Sequence, residues 1–338
     1  WPQLFDEATP IAERQAIVGD WLRQVRRSIP GVRLGLRVES RIAHRAAAGI
    51  DLREIARAGL ADYAIIAMPY FWDPQPETEI EPAASPIPLY FEVTQETGAP
   101  PADKKLLESF GLTGSERYVE QLSTARRLVT GANLAWRRGF YGLAMFNMQY
   151  YLRLASGAPP VEYPAEAILC MSKPECAAAS DQEYVLPLSH YHLAYERNML
   201  PAFVRPRRPA QFSLRLAPPA KGWTGEALVF VGFTLPKAEA DPRRDYAEAK
   251  AALSVRLNGR PMNATEAEWP ADPGDGEKLA EHYRRYWLNA APFHKIFAAP
   301  ARDLVDGVNT VEVEWSGPAA PAVEAKMLDF RLFAPAAR

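Results

Sequence analysis

The sequence predicts an α/β region followed by an all-β module, and three observations carry that expectation. Residues 31–147 read as four consecutive strand-and-helix units. Their apolar runs are continuous, as in strands buried on both faces. Beyond about residue 156 the runs alternate apolar with polar residues, as in half-buried antiparallel strands.

The first region takes its strands from GVRLGLRVES at 31–40, DYAIIAMPYFWD at 62–73, IPLYFEVTQE at 87–96 and FYGLAMFNMQYY at 140–151. Strands that alternate with helices imply right-handed crossovers and a parallel sheet, and four such units are half of a (β/α)8 barrel. A helix over 11–28 carries Ile11, Ala16, Ile17, Trp21, Leu22 and Val25 at helical spacing. Arg26 and Arg27 suit its last turn, and Pro30-Gly31 ends it. A second helix runs over 51–60, with Asp51 as N-cap and Gly59 as stop. The loop FWDPQPETEIEPAASPIP is long, acidic and rich in proline. The longest helix of this half spans 115–138, with Ser115 near its start. Its strand partner, 142–147, ends at the polar residues Asn147 and Gln149.

In the second region the alternating runs are FSLRLA (212–217), ALVFVGFTL (227–235), ALSVRLNG (252–259), VNTVEVEW (308–315) and MLDFRLFA (327–334). Asn258-Gly259 and Asp306-Gly307 are tight-turn signals. These features predict a jelly-roll-like β-sandwich over 165–338, with one helical insertion near 276–288. The expected division is therefore 1–155 and 156–338, joined by a proline-rich connector over 156–220. The 31 prolines crowd 74–101, 159–187 and 201–220, which marks those stretches as loops.

Bulk composition narrows the function classes. The chain has 338 residues, 48% of them hydrophobic, enough for two packed cores. A formal net charge of −2 gives no electrostatic case for nucleic acid or an anionic membrane. No run approaches the ~18 apolar residues of a membrane span. No signal peptide is evident, but the chain opens on Trp1 rather than Met, so the compartment stays open, with a periplasmic or secreted location slightly favoured. Cys170 and Cys176 form a disulfide if the turn brings their Cα atoms within ~7 Å, and are otherwise two buried thiols. They offer too few ligands for a metal. His190 and His192 share a side of any strand, with Glu196 near, but no third ligand is identifiable. No phosphate loop, G-x-S-x-G elbow or H-E-x-x-H string occurs, so neither cofactor nor metal is expected.

Two segments carry a resemblance. In DLREIARAGLADYAIIAMPYFW (51–72) a helix ends in a Gly-hydrophobe-x-Asp-Tyr turn, formed by Gly59, Leu60, Asp62 and Tyr63, and the following strand closes on Tyr70, Phe71 and Trp72. In WRRGFYGLAMFNMQYY (136–151) a Gly-rich entry leads to a strand with a Phe-Asn exit. Both resemble bacterial glycosyl-hydrolase-like (β/α)8 barrels, the second segment looking like the last strand. VRLNGRPM (255–262) and LVDGVNTVEVEW (304–315) resemble the β-sandwich modules appended to such enzymes. The resemblance implies that residues up to about 155 are barrel strands five to eight. Strands one to four, and the acidic residue usually expected near the end of strand four, are not in this chain. The expectation is then a fragment, or one chain of a pair, with an open edge at 32–38 through which it self-associates or which leaves it poorly soluble.

Catalytic groups of a barrel sit at the C-terminal ends of its strands. That rule selects Glu39, Tyr70, Trp72, Asp73, Glu92, Asn147 and Gln149. Glu92 interrupts the apolar run LYFEVT, where a buried charge is costly unless paired or functional. The resemblance places it on strand seven, from which several such barrels take their nucleophile; the alternative is an ion pair with an arginine. Glu39 is either the partner carboxylate, ~5 Å away in a retaining glycosidase, or a salt-bridge partner of Arg37 or Arg41. Asp73 bonds sugar hydroxyls or caps an Asp-Pro turn. Tyr70, Phe71 and Trp72 stack on a sugar ring or pack under the loop. Asn147 and Gln149 hold substrate hydroxyls, or Asn147 satisfies backbone groups at the barrel mouth.

The leading expectation is a glycoside-hydrolase-like protein acting on poly- or oligosaccharide. The alternative is a non-catalytic carbohydrate-binding or structural protein that works through the sandwich, with Trp223, Trp269, Trp287 and Trp315 as platforms.

Overall fold

The computed structural model describes residues 5–6, 8–67, 76–93, 125–145, 165–186, 200, 202–205, 208–235, 242–270, 293–315 and 325–338. The chain forms two compact units, one from residues 1–94 with 134–148 and one from 95–133 with 149–338.

The first unit contains helices α1 (Ile11–Ser28), α2 (Ile42–Ala47) and α3 (Leu52–Arg57) and strands β1 (Gly35–Glu39), β2 (Tyr63–Ala67), β3 (Leu89–Val93) and β4 (Gly142–Met145). The four strands are parallel and lie in sequence order, β1-β2-β3-β4. Among the described residues this sheet is open, and no sheet closes into a barrel. β1 is the first strand in that order, so its outer edge is the one expected to self-associate.

One face of the sheet is apolar and buried, through Val38, Ala64, Ile66, Leu89, Phe91 and Val93. The continuous apolar runs predict burial of both faces, and the structure differs on the second. That face carries Arg37, Glu39, Tyr63, Ile65, Tyr90 and Glu92, and much of it is only half-buried. It also brings rings against glycines. A Cβ at Gly35 would stand 2.1 Å from Tyr63 Cζ, and one at Gly142 would stand 2.9 Å from Tyr90 Cε1. Each tyrosine leans onto a neighbouring strand that has no side chain to obstruct it, and the two rings meet edge-on at 5.8 Å.

Local chemistry sets the elements. Asp51 caps α3 by accepting from the Glu54 amide at 3.0 Å. Gly59 follows the helix with φ +63°, a conformation that favours glycine. Asp62 then accepts two bonds of 2.8 Å from the Arg26 guanidinium and one of 2.6 Å from the Leu34 amide. The Gly-hydrophobe-x-Asp-Tyr turn thus ties the last turn of α1 to the N-terminal ends of β1 and β2. The Arg26 hydrogen bonds, then the Leu34 amide, hold the Asp62 carboxyl down at about 2. α1 spans the residues expected, but of its apolar residues only Leu22 is buried, while Ile17 and Trp21 are exposed.

Helix α4 (Ala125–Arg138) is the described part of the helix expected over 115–138. Asn133 is the last of its residues in the second unit and Leu134 the first in the other.

The second unit adds α5 (Ala165–Met171), α6 (Pro174–Ala177), β5 (Gln182–Val185), β6 (Ala202–Val204), β7 (Ala210–Leu216), β8 (Glu226–Thr234) and α7 (Pro242–Ala252). It continues with β9 (Leu253–Leu257), β10 (Arg260–Pro261), β11 (Asn263–Thr265), β12 (Phe293–Pro300), β13 (Gly307–Trp315) and β14 (Ala325–Ala334). The strands form two antiparallel sheets, β10-β9-β13-β7 and β11-β12-β8-β14-β5, with β6 also on β14. Phe212 of β7 meets Phe330 of β14 at 5.5 Å, and the Trp315 indole donates to the Val204 carbonyl at 3.2 Å, so the sheets pack face to face as a sandwich. On β13 the residues Val311, Val313 and Trp315 are buried, as the alternation predicts. The connector expected at 156–220 holds α5, α6, β5, β6 and β7, because prolines at element ends do not exclude short elements between them. Among the described residues, no helix is long and apolar enough to cross a membrane.

At one end of the sandwich the Asn258-Gly259 turn joins β9 to β10, with φ of 50° and 78°. The Asn258 amide donates to Asp303 O and Asn309 Oδ1, and the fully buried Asn309 bonds Val305 and Gly307 in turn. Cys170 and Cys176 form a disulfide across a Cα separation of 5.2 Å. A loop this short constrains the unfolded chain by about 2 kcal/mol. Reduction should lower the denaturant midpoint accordingly; an unchanged midpoint would show that the bond constrains little.

Candidate active site

The parallel strands of the first unit place Glu39 and Glu92 in one row. Glu39 pairs with Ala67, Ile66 pairs with Phe91, and Glu92 pairs with Ala144. Partners in a parallel register point to the same face, so Glu39, Ala67, Glu92 and Ala144 line one side near the C-terminal ends of the strands. Glu39 and Glu92 stand two strand spacings apart, about 9.5 Å between backbones.

The two carboxyl groups have different surroundings. Arg37 takes Glu92 with both arms of its fork, Nε to Oε2 and Nη2 to Oε1, each at 2.6 Å. The Glu92 side chain is 4% exposed and that of Arg37 39%. Glu92 is therefore a desolvated carboxylate matched by one bidentate cation, the geometry in which arginine is strongest. Glu39 has no such match. Its Oε2 is buried with no hydrogen-bond partner among the described residues. Burial pushes its carboxyl up to about 7, opposed by the charges of Arg37 and Arg45 and assisted by that of Glu92. At neutral pH Glu39 is thus poised to hold or release a proton.

Arginines organise the segment behind β1. Arg45, on α2, is fully buried and pairs with Glu79 at 3.0 and 2.8 Å, bonds the Glu77 carbonyl at 2.9 Å, and also donates to the main-chain carbonyl of Glu39. Arg41 pairs with Glu77 at 3.4 Å, and Arg138 bonds Pro76 O and Thr78 Oγ1 at 2.7 and 3.0 Å. The acidic residues of the proline-rich loop are, in this part, counter-charges for buried arginines.

Of the residues the sequence singles out, Glu39 and Glu92 come together on one face. Glu39 was expected either as a partner carboxylate or in a salt bridge with Arg37 or Arg41; the fork of Arg37 lies on Glu92 and Arg41 faces Glu77. Tyr70, Phe71, Trp72, Asp73, Asn147 and Gln149 lie outside the described residues, as do His190, His192, Glu196, Trp287 and the 276–288 segment. In the sandwich Trp315 is core, and Trp269 packs edge-on against Phe230 and Phe333 at 5.8 and 6.2 Å. Trp223 is half-buried with its indole nitrogen enclosed.

Strand-end position does not single out Arg45 or the tyrosines over the glycines. A signal existed for the latter. Gly35-x-Arg37-x-Glu39 and Tyr90-x-Glu92 alternate with period two inside runs that look uniformly apolar.

No protein-family model and no curated protein matches the chain. Among solved structures, BuGH86wt in complex with neoagarooctaose matches at a TM-score of 0.21 and 14% identity, over 38% of this chain and 16% of that one. The ANX2 ectodomain from Arabidopsis thaliana matches at a TM-score of 0.23 and 10% identity, over 39% of this chain and 30% of that one. The chain spans well under two thirds of either, and likenesses this slight carry no argument about fold or function.

Proposed function

We propose that the parallel-sheet unit is part of a glycosidase-like (β/α)8 barrel and acts on poly- or oligosaccharide through Glu39 and Glu92. One observation supports this reading: a buried carboxylate matched by Arg37 and a half-buried carboxyl group raised by its surroundings share a row at the C-terminal ends of parallel strands. That is the arrangement an acid and its partner carboxylate require. Glu39 gives its proton to the glycosidic oxygen as the C–O bond breaks. Glu92, held in place by the Arg37 fork, accepts a proton from the water that attacks the anomeric carbon. In this reading Tyr70 and Trp72 stack on the sugar, and Asp73, Asn147 and Gln149 hold its hydroxyls.

A second reading is favoured by the Arg37 fork. It occupies both oxygens of Glu92, which suits a structural pair in a non-catalytic carbohydrate-binding protein. Hydrolysis decides between the two. Glu92→Gln is expected to lose turnover across a panel of neutral oligosaccharides, with some loss of stability because Arg37 loses its charged partner, so the rate is read at a temperature where the variant is folded. An unchanged rate removes Glu92 from the chemistry, and sugar binding without turnover by the parent selects the second reading.

A further inference from the structure

We propose that the buried Arg45–Glu79 pair tunes the acid site: Arg45 is a positioning residue for Glu39, and its charge, graded by Glu79, adds to that of Arg37 in setting how readily that carboxyl gives up its proton. The inference rests on the reading of Glu39 as the acid, and it concerns control of that group rather than the chemistry itself.

Arg45 is fully buried, and all three of its guanidinium nitrogens are used. Two of them form a fork on Glu79, one of these also reaches the Glu77 carbonyl, and the third grips the main-chain carbonyl of Glu39. The guanidinium therefore touches the residue that carries the candidate acid. A buried ion pair is weak evidence for stability, since well-packed apolar residues often serve as well. A charge kept at this place has a use if it acts on a neighbouring titratable group.

Charged groups surround Glu39 from three elements. Arg37 lies on the same strand and Glu92 on β3, with Arg45 on α2. Arg41, at the start of α2, faces Glu77, and His44 lies on α2. Arg37 has its carboxylate in Glu92 and Arg45 has its own in Glu79, so each cation reaches Glu39 partly neutralised. Removing Arg45 takes away a positive charge and favours the neutral acid. Removing the charge of Glu79 strengthens the field of Arg45 and favours the carboxylate. The two changes must therefore act in opposite directions, which a merely structural pair would not produce.

The test is a carbon-detected NMR titration of the Glu39 carboxyl in the full chain, with no ligand present. Arg45→Met should move its midpoint to higher pH and Glu79→Gln to lower pH, the two variants separating by on the order of one unit. Arg45→Lys, which keeps the charge, should titrate near the parent. If Arg45→Met does not fold, Glu79→Gln decides alone, because Glu79 is partly exposed. Midpoints that stay put, or that move the same way, overturn the proposal. The readout needs no turnover: opposite shifts in a protein that hydrolyses nothing would leave this inference standing and remove the glycosidase reading.

Discussion

Replacing Glu183 with glutamine is expected to destabilise the sandwich unit by about 3–5 kcal/mol, the size of breaking a buried ion pair from one side. Glu183 is buried on β5 and accepts from Arg127 at 2.7 Å and from Arg126 at 3.3 Å. Arg331, also buried, adds its charge from β14. Glutamine keeps the shape and removes the charge that these guanidinium groups face. Burial alone would raise the Glu183 carboxyl, but the charges of Arg127, Arg331 and Arg126 outweigh it and hold the group down at about 2. A carboxyl lowered by folding stabilises the fold above its unfolded value, near 4.3, and that contribution is lost as pH falls toward 2. The variant should therefore show both a lower denaturant midpoint at pH 7 and a weaker loss of stability below pH 4. An unfolding free energy within about 0.5 kcal/mol of the parent would mean that the cluster contributes little.

Glu39→Gln is expected to lower turnover by about 10²–10⁴-fold, the usual share of a general acid. Glutamine fills the same space and cannot give a proton to a leaving oxygen. Its effect on stability has the opposite pH sense to that of Glu183. A carboxyl raised by folding stabilises the fold fully below its unfolded value and loses that contribution as pH rises through about 7. The variant should match the parent at neutral pH or exceed it. A rate loss that follows a fall in Tm would point to misfolding instead.

The strands of the parallel sheet were legible because each apolar run is bounded by turn chemistry, as at Asp51, Gly59 and Asp62. The sandwich strands at 308–315 and 253–257 were legible from alternation. What the sequence hid has physical causes. β5 and β6 are 4 and 3 residues long and lie among prolines, so no period can be read from them. The second face of the parallel sheet looked apolar because Tyr63, Ile65 and Tyr90 count as hydrophobic, yet it is the face that carries Arg37, Glu39 and Glu92. Strand-end position found the two glutamates. It could not show that Arg37 would choose Glu92 over Glu39, because that depends on register across β1, β2 and β3 rather than on neighbours in the chain. Nor could it show Arg45, whose partners Glu77 and Glu79 lie more than 30 residues away.

The most direct measurement is the pH dependence of oligosaccharide hydrolysis by the parent chain, beside Glu39→Gln. The account predicts turnover that falls as pH rises through about 7, where Glu39 loses its proton, and a variant in which the residual rate lacks that limb. Turnover that is flat through pH 7, or that keeps the same limb in Glu39→Gln, would contradict it, as would no hydrolysis at any pH.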